Sequence, residues 1–115
     1  MGRMTKELHE LREEHSKIIE DVICERARQN QKFGANRHHH PAEWLMILGE
    51  EVGEVNEEGI NFTFSLFEGK KIRALQDMRN ELIQVAAVAM AFIQDIDDNY
   101  TPEINKTIKN GRFRK

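Results

Sequence analysis

Residues 82–93 read LIQVAAVAMAFI, and Gln84 is the one polar side chain among them. On a helical wheel this segment is apolar nearly all round, so it needs cover from several directions. A chain of 115 residues makes one domain with one core. The other helices it can form are too few to enclose residues 82–93 completely. The expectation is therefore an all-α helical bundle completed by oligomerisation, as a homodimer or homotetramer.

Working outward, the apolar run sits in a helix expected from about Lys71 to Asp97, with Pro102 after it. Leu8, Leu11, Ile18, Ile19, Val22 and Ile23 recur at helical spacing, which predicts a first helix over 4–30. QKFGANRHHHP (31–41) breaks that pattern, and Pro41 suits the first turn of a second helix running to about Ile60. NFTFSLFEGKK (61–71) alternates like a strand. A lone strand would have no partner, so it reads as a loop or short helix. PEINKTIKNGRFRK (102–115) reads as a short helix with a basic tail. The architecture expected is three long helices plus a short C-terminal one, in a single domain over 1–115 with its core in 18–97 and its tail in 103–115.

Composition narrows the function classes. A net charge of −3 exerts no general pull toward nucleic acid or anionic lipid. No run approaches the roughly 18 apolar residues of a membrane span, and the N-terminus shows no apolar signal-peptide core. One cysteine, Cys24, cannot form an internal disulfide, which suits a cytoplasmic protein, and its place in the apolar pattern predicts a buried thiol. The chain contains neither a P-loop nor Gly-x-Gly-x-x-Gly, and its two serines sit in no nucleophile elbow. Consecutive residues point in different directions, so His38, His39 and His40 read as a helix cap or surface group rather than one metal site.

GEEVGEVNEEG (49–59) carries the chemistry. At about 100° per residue, Glu50, Glu51, Glu54, Glu57 and Glu58 fall within an arc of about 120°. Leu45, Leu48, Val52 and Val55 make the opposite stripe, expected to face the core. Such an arc can be a solvated face. The next helix argues otherwise, because Asp77, Glu81 and Gln84 share one stripe and Glu81 borders the apolar run. A carboxylate there is costly unless it is paired or binds a metal. Gly49 and Gly53, each about 1 kcal/mol worse than alanine in mid-helix, would let another backbone approach and bring Glu81 toward Glu51 and Glu54. An oxygen-lined cage without histidine or thiolate suits Mg²⁺ or Mn²⁺.

ERARQNQKFG (25–34), PAEWLMILGEEVGEV (41–55) and NELIQVAAVAMAFIQ (80–94) together resemble the MazG-like branch of the all-α nucleoside triphosphate pyrophosphohydrolases, over roughly residues 18–97. The family signature is Glu-Glu-x-x-Glu followed on a later helix by Glu-x-x-Asp. This chain has Glu50-Glu51-Val-Gly-Glu54 and Glu81-Leu-Ile-Gln84, so Gln84 stands where the family has aspartate. An amide oxygen can ligate a metal but brings no charge. The resemblance implies Mg²⁺-dependent hydrolysis of an NTP or dNTP to the monophosphate and pyrophosphate. It implies Glu51, Glu54 and Glu81 as metal ligands with Glu50 and Gln84 in support, and Glu50 or Glu51 as the base. The alternatives are a non-catalytic helical oligomerisation module or a nucleotide sensor with a degenerate metal site.

Polyphosphate also needs cations. Arg26, Gln29 and Lys32 recur every three residues near the end of the first helix, and Arg112 lies in the tail. Each is a candidate substrate contact as well as an ordinary solvated group. Trp44, the only tryptophan, could stack on a base or pack in the core.

Overall fold

The computed structural model describes residues 2–101 and 103. Four α-helices follow one another: α1 (Gly2–Glu14), α2 (Ser16–Phe33), α3 (Pro41–Phe64) and α4 (Glu68–Asp95), with a π-helical turn over Ile96–Tyr100. No strand occurs among the described residues. The expected C-terminal short helix and basic tail lie outside them, save for Glu103.

The single first helix expected over 4–30 is instead two. The break is one residue wide: His15 departs from helical geometry at φ −99°, ψ 10°. The ladder nevertheless carries across it, from His15 N–H to the Leu11 carbonyl (3.0 Å) and from Ile19 N–H to the His15 carbonyl (2.9 Å). α1 buries none of its residues, so no packing holds it in line with α2.

Local chemistry sets the other boundaries. Gly34, at φ +92°, ends α2 by donating its N–H to the Asn30 carbonyl at 2.9 Å, a backbone conformation that favours glycine. His40 caps α3: its Nδ1 accepts from Ala42 N–H, and Glu43 Oε1 accepts from His40 N–H, both at 3.0 Å. Pro41 follows at the first helical position. Most of the ambiguous 61–71 stretch proves helical. α3 continues to Phe64, and residues 65–67 alone connect it to α4.

That short connector makes α3 and α4 an antiparallel hairpin, with Trp44 beside Asp95 at one end and Phe62 beside Lys71 at the other. α2 crosses α4 on another side, tied by Arg79 to Asp21 (2.7 Å) and by Arg26 to Gln94 (3.0 Å). The core is small. Trp44, Val88 and Ala91 form its centre, with Ile47, Leu48 and Phe92 packed against them. Trp44 stacks on Phe92, ring centroids 5.6 Å apart, and meets the edge of His39.

Much of the expected core surface is open in the single chain. In the apolar run Ala87, Val88 and Ala91 are buried, yet Leu82, Met90 and Ile93 are exposed. Leu45 and Val52 of the expected core stripe are exposed too, as are Leu8, Leu11, Ile18, Ile19 and Ile23. Cys24, expected to be a buried thiol, is exposed. The physical reason is shape: the radius of gyration is 18.5 Å, against about 13 Å for a compact domain of this size. Only α2 and α3 pack on α4, and α1 extends from α2 without reaching it, so much of the apolar surface of α4 stays uncovered. No helix among the described residues is long and apolar enough to cross a membrane.

Candidate metal centre

α3 presents Glu51 and Glu54 one turn apart, and the antiparallel α4 brings Glu81 to face them. One carboxylate oxygen from each lies within 4.8 Å of the other two. Oε2 of Glu51 and Oε2 of Glu81 are both buried and have no hydrogen-bond partner. A buried unpaired oxygen is costly, and here two of the three clustered carboxyl groups each carry one.

The electrostatics agree. Burial, then a hydrogen bond with Glu54, then the charges of Glu54, Glu51 and Glu58 push Glu81 up to about 7. Burial likewise raises Glu51, followed by the charge of Glu54, its hydrogen bond, and the charges of Glu25 and Glu50. Two carboxylates about 5 Å apart repel by about 3 kcal/mol at an effective dielectric of 20. Two things relieve this: a shared proton or a bound cation. The neighbouring arginines are engaged elsewhere, Arg73 with Asp77 (3.5 Å) and Arg79 with Asp21 (2.7 Å). The all-oxygen set matches a hard divalent cation such as Mg²⁺ or Mn²⁺.

The other expected site residues scatter around this cluster. Glu50 is exposed on α3 and touches the cluster only through its charge on Glu51. Gln84, one turn beyond Glu81, lines an open cleft of about 620 Å³ between α2 and α4, together with Glu25, Arg28, Arg79 and Asn80. Gln29 is buried and donates to Glu25 Oε2 at 3.3 Å, leaving its own Oε1 unpaired. Lys32 lies over the Phe33 ring. Arg26 reaches toward Gln94, and Arg112 lies outside the described residues. Trp44 is fully buried, with its indole N–H donated to Asp95.

Gly49 and Gly53 differ from expectation. A Cβ at either position would meet no atom within 4 Å, so no close backbone approach within the chain requires them. Glu81 reaches α3 without their help.

Two further residues escape the sequence patterns. Glu25, from α2, adds its charge to Glu51 and pairs with Arg28. Asp95 is buried and accepts from Trp44 Nε1 (2.7 Å), His39 N–H (3.0 Å) and Asn99 Nδ2 (2.6 Å), with His38 Nδ1 at 2.8 Å. Burial would raise it, but these contacts hold its carboxyl well below the usual carboxylate range. A buried tryptophan needs an acceptor for its N–H, and that was the available signal for Asp95.

Comparisons with known proteins return no matching family model, no matching curated protein and no matching solved structure.

Proposed function

We propose that this chain is a Mg²⁺-dependent nucleoside triphosphate pyrophosphohydrolase of the MazG-like kind, cleaving an NTP or dNTP to the monophosphate and pyrophosphate. The observation that carries the reading is the convergence of Glu51, Glu54 and Glu81, with two buried oxygens left unpaired. The motif resemblance supplies the reaction class.

In this reading Glu51, Glu54 and Glu81 hold the cation. Bound there, it supplies charge neutralisation for a polyphosphate and activation of water. The chain's own groups do the rest. Glu50, exposed and outside the cluster, is one candidate to accept a proton, and Glu51 is the other. In the cleft near Glu81, Asn80 and Gln84 offer amide donors to phosphate oxygens. Arg28 and Arg79, ion-paired with Glu25 and Asp21, add positive charge at its wall. Assembly of two or four copies covers the exposed apolar faces.

A second reading is a nucleotide-sensing or oligomerisation module with a weakened metal site. Gln84 favours it, since it brings no charge and makes no hydrogen bond in the cleft it lines. Turnover separates the two. Purified protein is incubated with a panel of NTPs and dNTPs, with Mg²⁺, with Mn²⁺ and with EDTA, and monophosphate and pyrophosphate are measured. Metal-dependent release of both products supports the enzyme. Metal binding without turnover on any nucleotide leaves the sensor.

A further inference from the structure

At the other end of the bundle, a cavity of about 210 Å³ lies between α2, the 34–40 loop and the end of α4. Two arginines line it, Arg26 and Arg37, and neither meets a carboxylate among the described residues. Arg26 spends its terminal nitrogens on neutral amides, Nη1 on Asn30 Oδ1 at 3.2 Å and Nη2 on Gln94 Oε1 at 3.0 Å. The Arg37 guanidinium makes no hydrogen bond among the described residues. Its carbon lies 5.0 Å from the Trp44 ring centroid and 5.3 Å from that of Phe33, so its charge sits over aromatic surface.

A half-buried guanidinium with unused donors, beside a second one without a carboxylate, is an uncompensated arrangement. Burial and then the charge of Arg26 lower the Arg37 pKa, the repulsion an anion would reverse. The acids nearby do not fill that role. Asp95 has committed its oxygens to the contacts described above, and Asp98, which also lines the cavity, is exposed and pairs with neither arginine.

We propose that this cavity binds a phosphate-type oxyanion through Arg26 and Arg37, at a site separate from the carboxylate cluster. Arginine forks match phosphate oxygens in pairs, and the amides of Asn30 and Gln94 add further donors. Gln94 lies thirteen residues beyond Glu81 on the same helix, about 20 Å at 1.5 Å per residue. The volume holds about seven waters at roughly 30 Å³ each and falls below the roughly 300 Å³ at which drug-sized pockets begin. Orthophosphate or pyrophosphate fits inside. A nucleoside monophosphate fits by its phosphate alone, with the base outside. The site stands independently of the pyrophosphohydrolase reading.

Trp44, fully buried beside the cavity with Arg37 over its ring, is the chain's only tryptophan, so its fluorescence reports a change at Arg37 on binding. The full chain is titrated in EDTA at constant ionic strength with orthophosphate, pyrophosphate and AMP, with chloride as the control. The expected result is a saturable change with at least one phosphate compound, and a Kd raised at least about tenfold in both Arg37→Gln and Arg26→Gln. Saturation by orthophosphate or pyrophosphate identifies a free-anion site, and saturation by AMP alone identifies a nucleotide's phosphate. Should Arg37→Gln fail to fold by circular dichroism, Arg26→Gln and ³¹P line broadening with the unaltered chain carry the test. No saturable change up to about 20 mM, well past millimolar affinity, overturns the site. So does wild-type affinity in the folded variants.

Discussion

Trp44 donates its indole N–H to Oδ2 of Asp95 over 2.7 Å, and both side chains are buried. This bond pins the start of α3 to the end of α4. It is also one of several contacts that let a carboxylate stay ionised inside the fold. Asp95→Asn removes the charge and one acceptor, and is expected to cost about 3 kcal/mol in urea unfolding. A loss below 0.5 kcal/mol, roughly that of an ordinary surface change, would refute the role given to Asp95.

The same residue sets an acid limit. Its folded pKa lies below the ordinary 3.8. Its contribution is therefore complete above that value and is lost as the pH falls further toward the folded pKa. The thermal midpoint of the unaltered chain should drop below pH 4 more steeply than that of Asp95→Asn.

Glu81 works in the opposite sense. Its folded pKa is about 7 against an ordinary 4.5, so the metal-free folded chain binds an extra proton between those values. That contribution is complete below about 4.5 and is lost as the pH rises through about 7. Glu81→Gln, permanently neutral, should melt a few degrees above the unaltered chain at pH 8 in EDTA, with the gap closing at pH 4. An equal gap at both pH values would show that the cluster does not take up the proton.

Divalent metal should reverse that order. A cation at one hundred times its Kd adds about 2.7 kcal/mol to the folded state, so Mg²⁺ or Mn²⁺ at pH 8 should raise the melting point of the unaltered chain. Glu54→Gln and Glu81→Gln should lose most of this gain, along with any turnover. A full metal-induced shift in either variant would remove that residue from the ligand set.

The open apolar faces make a claim about assembly. α1 buries nothing within its own chain, and Ile18, Ile19, Leu82 and Ile93 lie exposed. A single molecule rarely leaves so much apolar surface in water. Sedimentation should find a dimer or tetramer whose melting point rises with protein concentration. A monomer at all concentrations would contradict the proposed assembly.

The fold class was legible because the periodicity of α2, α3 and α4 is strong and Pro41 marks a true start. Glu51, Glu54 and Glu81 were legible for a similar reason, as acids at helical spacing beside an apolar run. What escaped depended on contacts between distant segments. Asp95 looks like one of several acids after the apolar run until Trp44 is seen beside it, and Glu25 looks like a surface charge until α2 crosses α4. Leu45 and Val52 read as core because periodicity reports which face is apolar and is silent on whether the chain itself covers it.

The hairpin has one more consequence, concerning which changes in chain length it can survive. Glu51 and Glu54 lie on one arm, Glu81 lies on the other, and the turn at 65–67 joins them. Both arms are continuous helices, so each acts as a ruler measured from that turn. One residue inserted between Phe67 and Glu81 would rotate the carboxylate by about 100° and advance it by about 1.5 Å, enough to take it out of the cluster. An extra residue in the turn itself has only loop entropy to contend with. Natural variation in the length of this chain should therefore gather at 65–67, while the count of residues along each arm stays fixed.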